Sequence, residues 1–98
     1  MYKVVYTKQS LKDLENLKKA NISQKAKTLV DLIRDNPYQK PPRYEKLVGK
    51  LDGILSRRIN LQHRLVYQVF ESPFTENDVE YRGTIKIIRM WTHYDDVR

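Results

Sequence analysis

Leu55-Ser56-Arg57-Arg58-Ile59-Asn60-Leu61-Gln62-His63-Arg64-Leu65-Val66-Tyr67 is the stretch on which the reading of this chain turns. It holds two runs that alternate apolar with polar residues, the pattern of strands with one face buried. In the first run Leu55, Arg57 and Ile59 point one way and Ser56, Arg58 and Asn60 the other, because strand side chains repeat every two residues. In the second run Leu65, Tyr67 and Val69 oppose Arg64, Val66, Gln68 and Phe70, and polar Asn60 to His63 makes the turn between the runs. The expectation is an antiparallel pair that holds guanidinium groups on rigid backbone, a good platform for gripping phosphate. The plainer reading of the same arginines is a solvated face that discourages edge pairing.

On the N-terminal side, Tyr2 to Tyr6 reads as a strand closed by Thr7, a good helix cap. Leu11, Leu14 and Leu17 predict an amphipathic helix over 8–20. Asn21 with Gln24 has the spacing of a capping box for a second helix, whose apolar stripe is Ile22, Ala26, Leu29, Val30 and Ile33 and which Asn36-Pro37 ends. Residues 37–52 are rich in Pro, Lys, Tyr and Gly and are expected to form a loop, with Gly49 and Gly53 as turns. This loop places Glu45 among Arg43, Lys46 and Lys50.

On the C-terminal side, residues 71–80 are acidic and turn-prone, with Ser72-Pro73 and Asn77-Asp78, and predict a long hairpin connection. A strand then runs from Tyr81 to Trp91. Isoleucines on both of its faces mark it as central, covered on each side. The chain closes with Thr92-His93-Tyr94 and a short tail. The order strand, helix, helix, three antiparallel strands gives an α+β domain over residues 1–98, with the helical pair on one face of the sheet and the other face open.

With 98 residues the chain has room for one modest core. Its net charge of +7 favours a polyanionic partner, nucleic acid or an acidic protein segment. It has no cysteine, which rules out disulfides and a thiol nucleophile. No apolar run approaches membrane-spanning length, so the expectation is a cytoplasmic protein without a membrane partner. Two histidines thirty positions apart, with no carboxylate cluster, argue against a metal site, and no glycine-rich phosphate loop is present. No cofactor is expected.

Glu45, the arginines at 57, 58 and 64, and His93-Tyr94 remain as candidates for chemistry. Metal-independent RNA cleavage needs a base for the 2′-hydroxyl, cations for the phosphorane and an acid for the departing 5′-oxygen, and these residue types match those roles. Leu51-Asp52-Gly53-Ile54-Leu55-Ser56-Arg57-Arg58-Ile59, His63-Arg64-Leu65-Val66-Tyr67 and His93-Tyr94 together closely resemble the YoeB/Txe toxins of the RelE superfamily. The resemblance spans nearly the whole chain.

That resemblance implies a microbial-ribonuclease-like fold and ribosome-dependent cleavage of mRNA in the A site, which inhibits translation. It makes Glu45 the general base, Arg64 the transition-state cation, His93 the general acid and Tyr94 a residue that positions or stacks on RNA. Arg58, Lys46 and Lys50 would bind RNA, while Arg57, facing the other way, would have a structural or partner-binding role. His63 at the turn reads as structural. Implied partners are the ribosome with its mRNA, an acidic YefM/Axe-like antitoxin and, through the antitoxin complex, operator DNA. The oligomeric state is open, a homodimer included. Two readings compete: a non-nucleolytic relative that poisons gyrase, as ParE-like toxins do, and a basic RNA- or antitoxin-binding module. This chain carries Ile54-Leu55 where family members commonly have aromatic residues, and its 71–83 connection is longer than in compact members.

Overall fold

The computed structural model of the protein describes residues 1–47 and 53–91. The expectations placed on Gly49, Lys50, His93, Tyr94 and the tail lie outside the described residues. Strand β1 (Tyr2–Tyr6) leads into helices α1 (Lys8–Lys19) and α2 (Ser23–Asp35), followed by β2 (Tyr44–Lys46), β3 (Ile54–Arg58) and β4 (Arg64–Phe70). A small hairpin, β5 (Phe74–Glu76) and β6 (Val79–Tyr81), precedes β7 (Gly83–Arg89).

Thr7 starts α1 as its composition suggests: Oγ1 accepts from the Ser10 amide at 3.0 Å and donates to the Ile88 carbonyl at 3.0 Å, so one side chain caps the helix and ties it to β7. The apolar stripe of α1 differs from the expected one. Three-residue spacing slips backwards on a 3.6-residue helix, leaving Leu11 about 120° from Leu17. Accordingly Leu17 is buried with Ser10 and Asp13, whereas Leu11 is 50% exposed.

Asn21 does not cap α2. It sits at φ 59° just past the end of α1, where the Asn21 amide reaches the Lys18 carbonyl and the Ile22 amide reaches Leu17. This is a Schellman closure, which asparagine tolerates because it visits left-handed backbone readily. Ile22 then takes the cap position without a side-chain bond. Ala26, Val30 and Ile33 bury the α2 stripe as expected.

The main sheet has the order β1-β7-β4-β3-β2, with β1 parallel to β7 and the other neighbours antiparallel. Strand β7 is therefore interior, as its isoleucines suggest. Helix α1 packs on β7 and α2 on β1, and Leu17, Ala26, Val30 and Ile33 meet Leu55, Leu65, Tyr67, Ile85 and Ile87 in one core. On the far face Leu47, Ile54 and Val66 form a second, smaller cluster with Ile88 against it.

The expected loop over 37–52 proves to contain β2, an edge strand too short and too closely preceded by prolines to show an alternating pattern. The expected single strand from Tyr81 is divided, since β6 pairs with β5 and only Gly83 onward joins the main sheet. Asn77 and Asp78, both with positive φ, form the two-residue turn of the β5–β6 hairpin. At Gly83 a Cβ would lie 2.1 Å from the Phe70 carbonyl oxygen, so the close approach of β7 to the end of β4 requires glycine.

A buried carboxylate fastens α1 to the end of β7. Asp13 accepts from Arg89 Nε at 2.8 Å and from the Met90 amide at 2.9 Å, with Gln9 at 3.2 Å. Burial pushes the Asp13 carboxyl up, but the bonds from Arg89, Met90 and Gln9 outweigh it and hold it below the ordinary range. A lowered native value means stability that is complete above about pH 5 and drains away as pH falls below about 4. Asp13→Asn should lower stability at pH 7 by about 3 kcal/mol and flatten the acid limb of the stability profile in urea titrations. An unchanged acid limb would show that the clasp contributes nothing there.

Candidate active site

The expected β3–β4 hairpin is present, with Ile54 opposite Gln68 at one end and Arg58 opposite Arg64 at the other. Its turn is fixed by Asn60, whose Oδ1 accepts from the amides of Gln62 at 2.8 Å and His63 at 2.7 Å. His63 is buried and its ring stacks on Trp91, centroids 3.9 Å apart.

Strand β2 brings Glu45 to this hairpin. Glu45 lies directly opposite Ser56, and Ser56 opposite Val66, so the three share one face of the sheet with Arg58 and Arg64. Arg64 Nη2 is 3.8 Å from Glu45 Oε1, an ion pair too long for a hydrogen bond. Their side chains are 17% and 37% exposed respectively, so both are partly buried on the face opposite the helices. Two arginines directly across a ladder repel one another. That arrangement suits an incoming anion, which relieves the repulsion as it binds.

Arg57 points the opposite way, as alternation requires, and is completely buried. Its guanidinium donates from Nε to the Tyr67 hydroxyl at 2.9 Å, from Nη1 to the Pro42 carbonyl and from Nη2 to the Pro37 carbonyl at 2.9 Å, and it lies over the Tyr44 ring. Tyr67 in turn donates to the Pro37 carbonyl at 2.7 Å. Burial raises the Tyr67 phenol above its ordinary value even though Arg57 opposes the shift, so it remains a donor. This network pins residues 37–42 against β3 and β4, and so fixes where Tyr44 and Glu45 enter the sheet.

Residues 6–94 match the profile described as YoeB-like toxin of bacterial type II toxin-antitoxin system. The chain belongs to that family. It is thus the toxin half of a type II toxin-antitoxin system. The YoeB/ParE toxin from Agrobacterium tumefaciens is similar at 29% identity and TM-score 0.77, covering 94% of this chain and 99% of that one. The toxin in the YoeB-YefM complex from Staphylococcus aureus matches at 29% identity and TM-score 0.70, over 96% of this chain and 99% of that one. The DinJ-YafQ toxin-antitoxin complex from Escherichia coli gives 20% identity and TM-score 0.74, over 96% of this chain and 94% of that one, and supports the fold alone. No curated protein matches this chain.

Of the site residues expected from the sequence of this YoeB-like toxin, the fold groups Glu45, Arg58 and Arg64 on one face. Lys46 pairs with Leu55, which turns it to the opposite face, so it is not part of that group. Lys50, His93 and Tyr94 lie outside the described residues, although the family match extends to position 94. Sequence reasoning attached no role to Ser56. Its signal was the break it makes in the apolar floor between Ile54 and Val66, and that becomes legible only once β2 is known to lie alongside.

Proposed function

We propose that this toxin is a ribosome-dependent endoribonuclease that cuts mRNA in the A site by metal-independent acid-base catalysis. The observation that supports this reading best is the Glu45–Arg64 pair, held on adjoining parts of one sheet face with Arg58 opposite Arg64. Glu45 takes the proton from the 2′-hydroxyl, and the freed oxygen attacks phosphorus. The new O2′–P bond forms as the P–O5′ bond breaks. Arg64 stabilises charge on the equatorial oxygens, Arg58 opposite it holds RNA phosphate, and His93 gives its proton to the departing 5′-oxygen. The products are a 2′,3′-cyclic phosphate and a 5′-hydroxyl end. Tyr94 stacks on or orients the RNA. Lys50 adds to the RNA path.

The long Glu45–Arg64 separation fits a resting site, since catalytic contacts in free enzymes are commonly loose and tighten on the substrate. An acidic antitoxin of the YefM type would cover this face, consistent with the YoeB-YefM complex of the S. aureus relative and the net charge of +7. Operator DNA would be reached through that complex, and a homodimer is a further assembly, as in the YoeB dimer from S. aureus.

Mapping mRNA ends on programmed ribosomes tests the reading. Expected are A-site cuts that leave a 2′,3′-cyclic phosphate on one fragment and a 5′-hydroxyl on the other. Intact mRNA together with gyrase-dependent DNA breaks would replace this reading with that of a gyrase poison.

A further inference from the structure

We propose that Ser56 is a positioning residue for Glu45: its hydroxyl donates to the Glu45 carboxylate when Arg64 turns away to the scissile phosphate. This rests on the nuclease reading of Glu45 and adds to it the group that holds the base in place during the reaction.

Ser56 is fully buried, and its Oγ finds no hydrogen-bond partner among the described residues. A buried hydroxyl left in that state lowers stability, and an apolar residue of similar size would cost less. Its surroundings make the choice stranger, because Ile54, Val66 and Leu47 on the same face form an apolar cluster. The exception is Glu45, the direct cross-strand partner of Ser56. Opposite residues on one face of an antiparallel ladder have Cβ atoms about 5 Å apart, close enough for a glutamate to fold back onto a serine hydroxyl.

In the resting molecule the Glu45 carboxylate faces Arg64. An arriving phosphodiester competes for that guanidinium with two acceptor oxygens in bidentate geometry. As Arg64 moves to the phosphate, the carboxylate loses its cation and the hydroxyl beneath it is the donor at hand. A hydrogen bond to one carboxylate oxygen keeps the other directed at the 2′-hydroxyl. Ser56 is thus unsatisfied in the resting state and satisfied in the reacting one, the kind of difference that speeds a chemical step rather than binding.

The test measures single-turnover cleavage on programmed ribosomes together with thermal unfolding, for Ser56→Ala, Ser56→Thr and Glu45→Ala. Ser56→Ala is expected to cleave about tenfold more slowly with half-saturation unchanged within about twofold, while its unfolding midpoint stays level or rises. Ser56→Thr restores the hydroxyl but adds a methyl group to a close-packed position. It should unfold at a lower temperature yet cleave faster than the alanine variant. This inverse order of stability and rate is one that a purely structural role cannot produce. Should Ser56→Ala cut at the parent rate while Glu45→Ala is inactive, the role of Ser56 falls and the nuclease reading stands. Loss of rate and stability together in Ser56→Ala, without rescue by threonine, likewise overturns it. Full cleavage by Glu45→Ala removes the parent reading and this proposal with it.

Discussion

Arg64→Ala should slow mRNA cleavage on programmed ribosomes by about a hundredfold to a thousandfold, the usual cost of removing one preorganised charge stabiliser. Glu45→Ala should cost about a hundredfold to ten-thousandfold, as loss of a general base does. Neither variant should unfold. The Glu45–Arg64 pair is 3.8 Å long and part-exposed, and pairs of that kind contribute little. Removing Arg64 also relieves its repulsion with Arg58 across the ladder. Single-turnover rates and urea titrations on the same preparations make the comparison. A folded Arg64→Ala protein that cuts within threefold of the parent would remove the transition-state role assigned to that guanidinium. The position of Arg58 predicts a different signature, mainly weaker ribosome binding and a shallower salt dependence, because a phosphate clamp acts before the chemical step.

Arg57→Met should lower stability by about 3–5 kcal/mol, a drop of roughly 15–30 °C in unfolding midpoint for a domain of this size. The guanidinium is completely buried and serves three acceptors that methionine cannot satisfy: the Tyr67 hydroxyl and the Pro37 and Pro42 carbonyls. Tyr67 can keep its bond to Pro37, which limits the loss, but Pro42 has no such substitute. Arg57→Lys should recover only part, since an ammonium cannot reproduce a planar fork with donors in three directions. Because residues 37–42 lead into β2, a loosened network also lets Glu45 wander, so the lysine variant should be slower in cleavage than its stability alone would suggest. Parent-like unfolding of Arg57→Met would mean that the network forms without carrying load.

The two neighbouring arginines illustrate how far the sequence could be read. Alternation alone separated Arg57 from Arg58 and put them on opposite faces, which holds in the structure because the strand period is set by local backbone geometry. It could not say that the Arg57 face would be roofed by a proline-containing segment, nor that the opposite face would receive Glu45. Both depend on β2, whose three residues carry too little pattern to announce a strand. The α1 stripe shows the same limit in a helix. Leu11, Leu14 and Leu17 correctly marked amphipathicity, but the phase of the buried face was set by the Thr7 cap and by Asp13 reaching Arg89 and Met90. Asn77-Asp78 was a visible turn signal, but the strands on either side of it are three residues each and carry too little pattern to show themselves.

The sequence by itself determined the α+β class, the two helices, the β3–β4 hairpin, the interior place of β7 and a candidate set of charged residues. These follow from periodicity, caps and turns, which act over a few residues. Only the tertiary structure decided the parallel β1–β7 pairing, the Asp13–Arg89 clasp, the burial of Arg57 and the meeting of Glu45 with Arg64 above Ser56. Each joins segments distant along the chain, and such contacts are selected by how all the elements pack together, which no local stretch encodes.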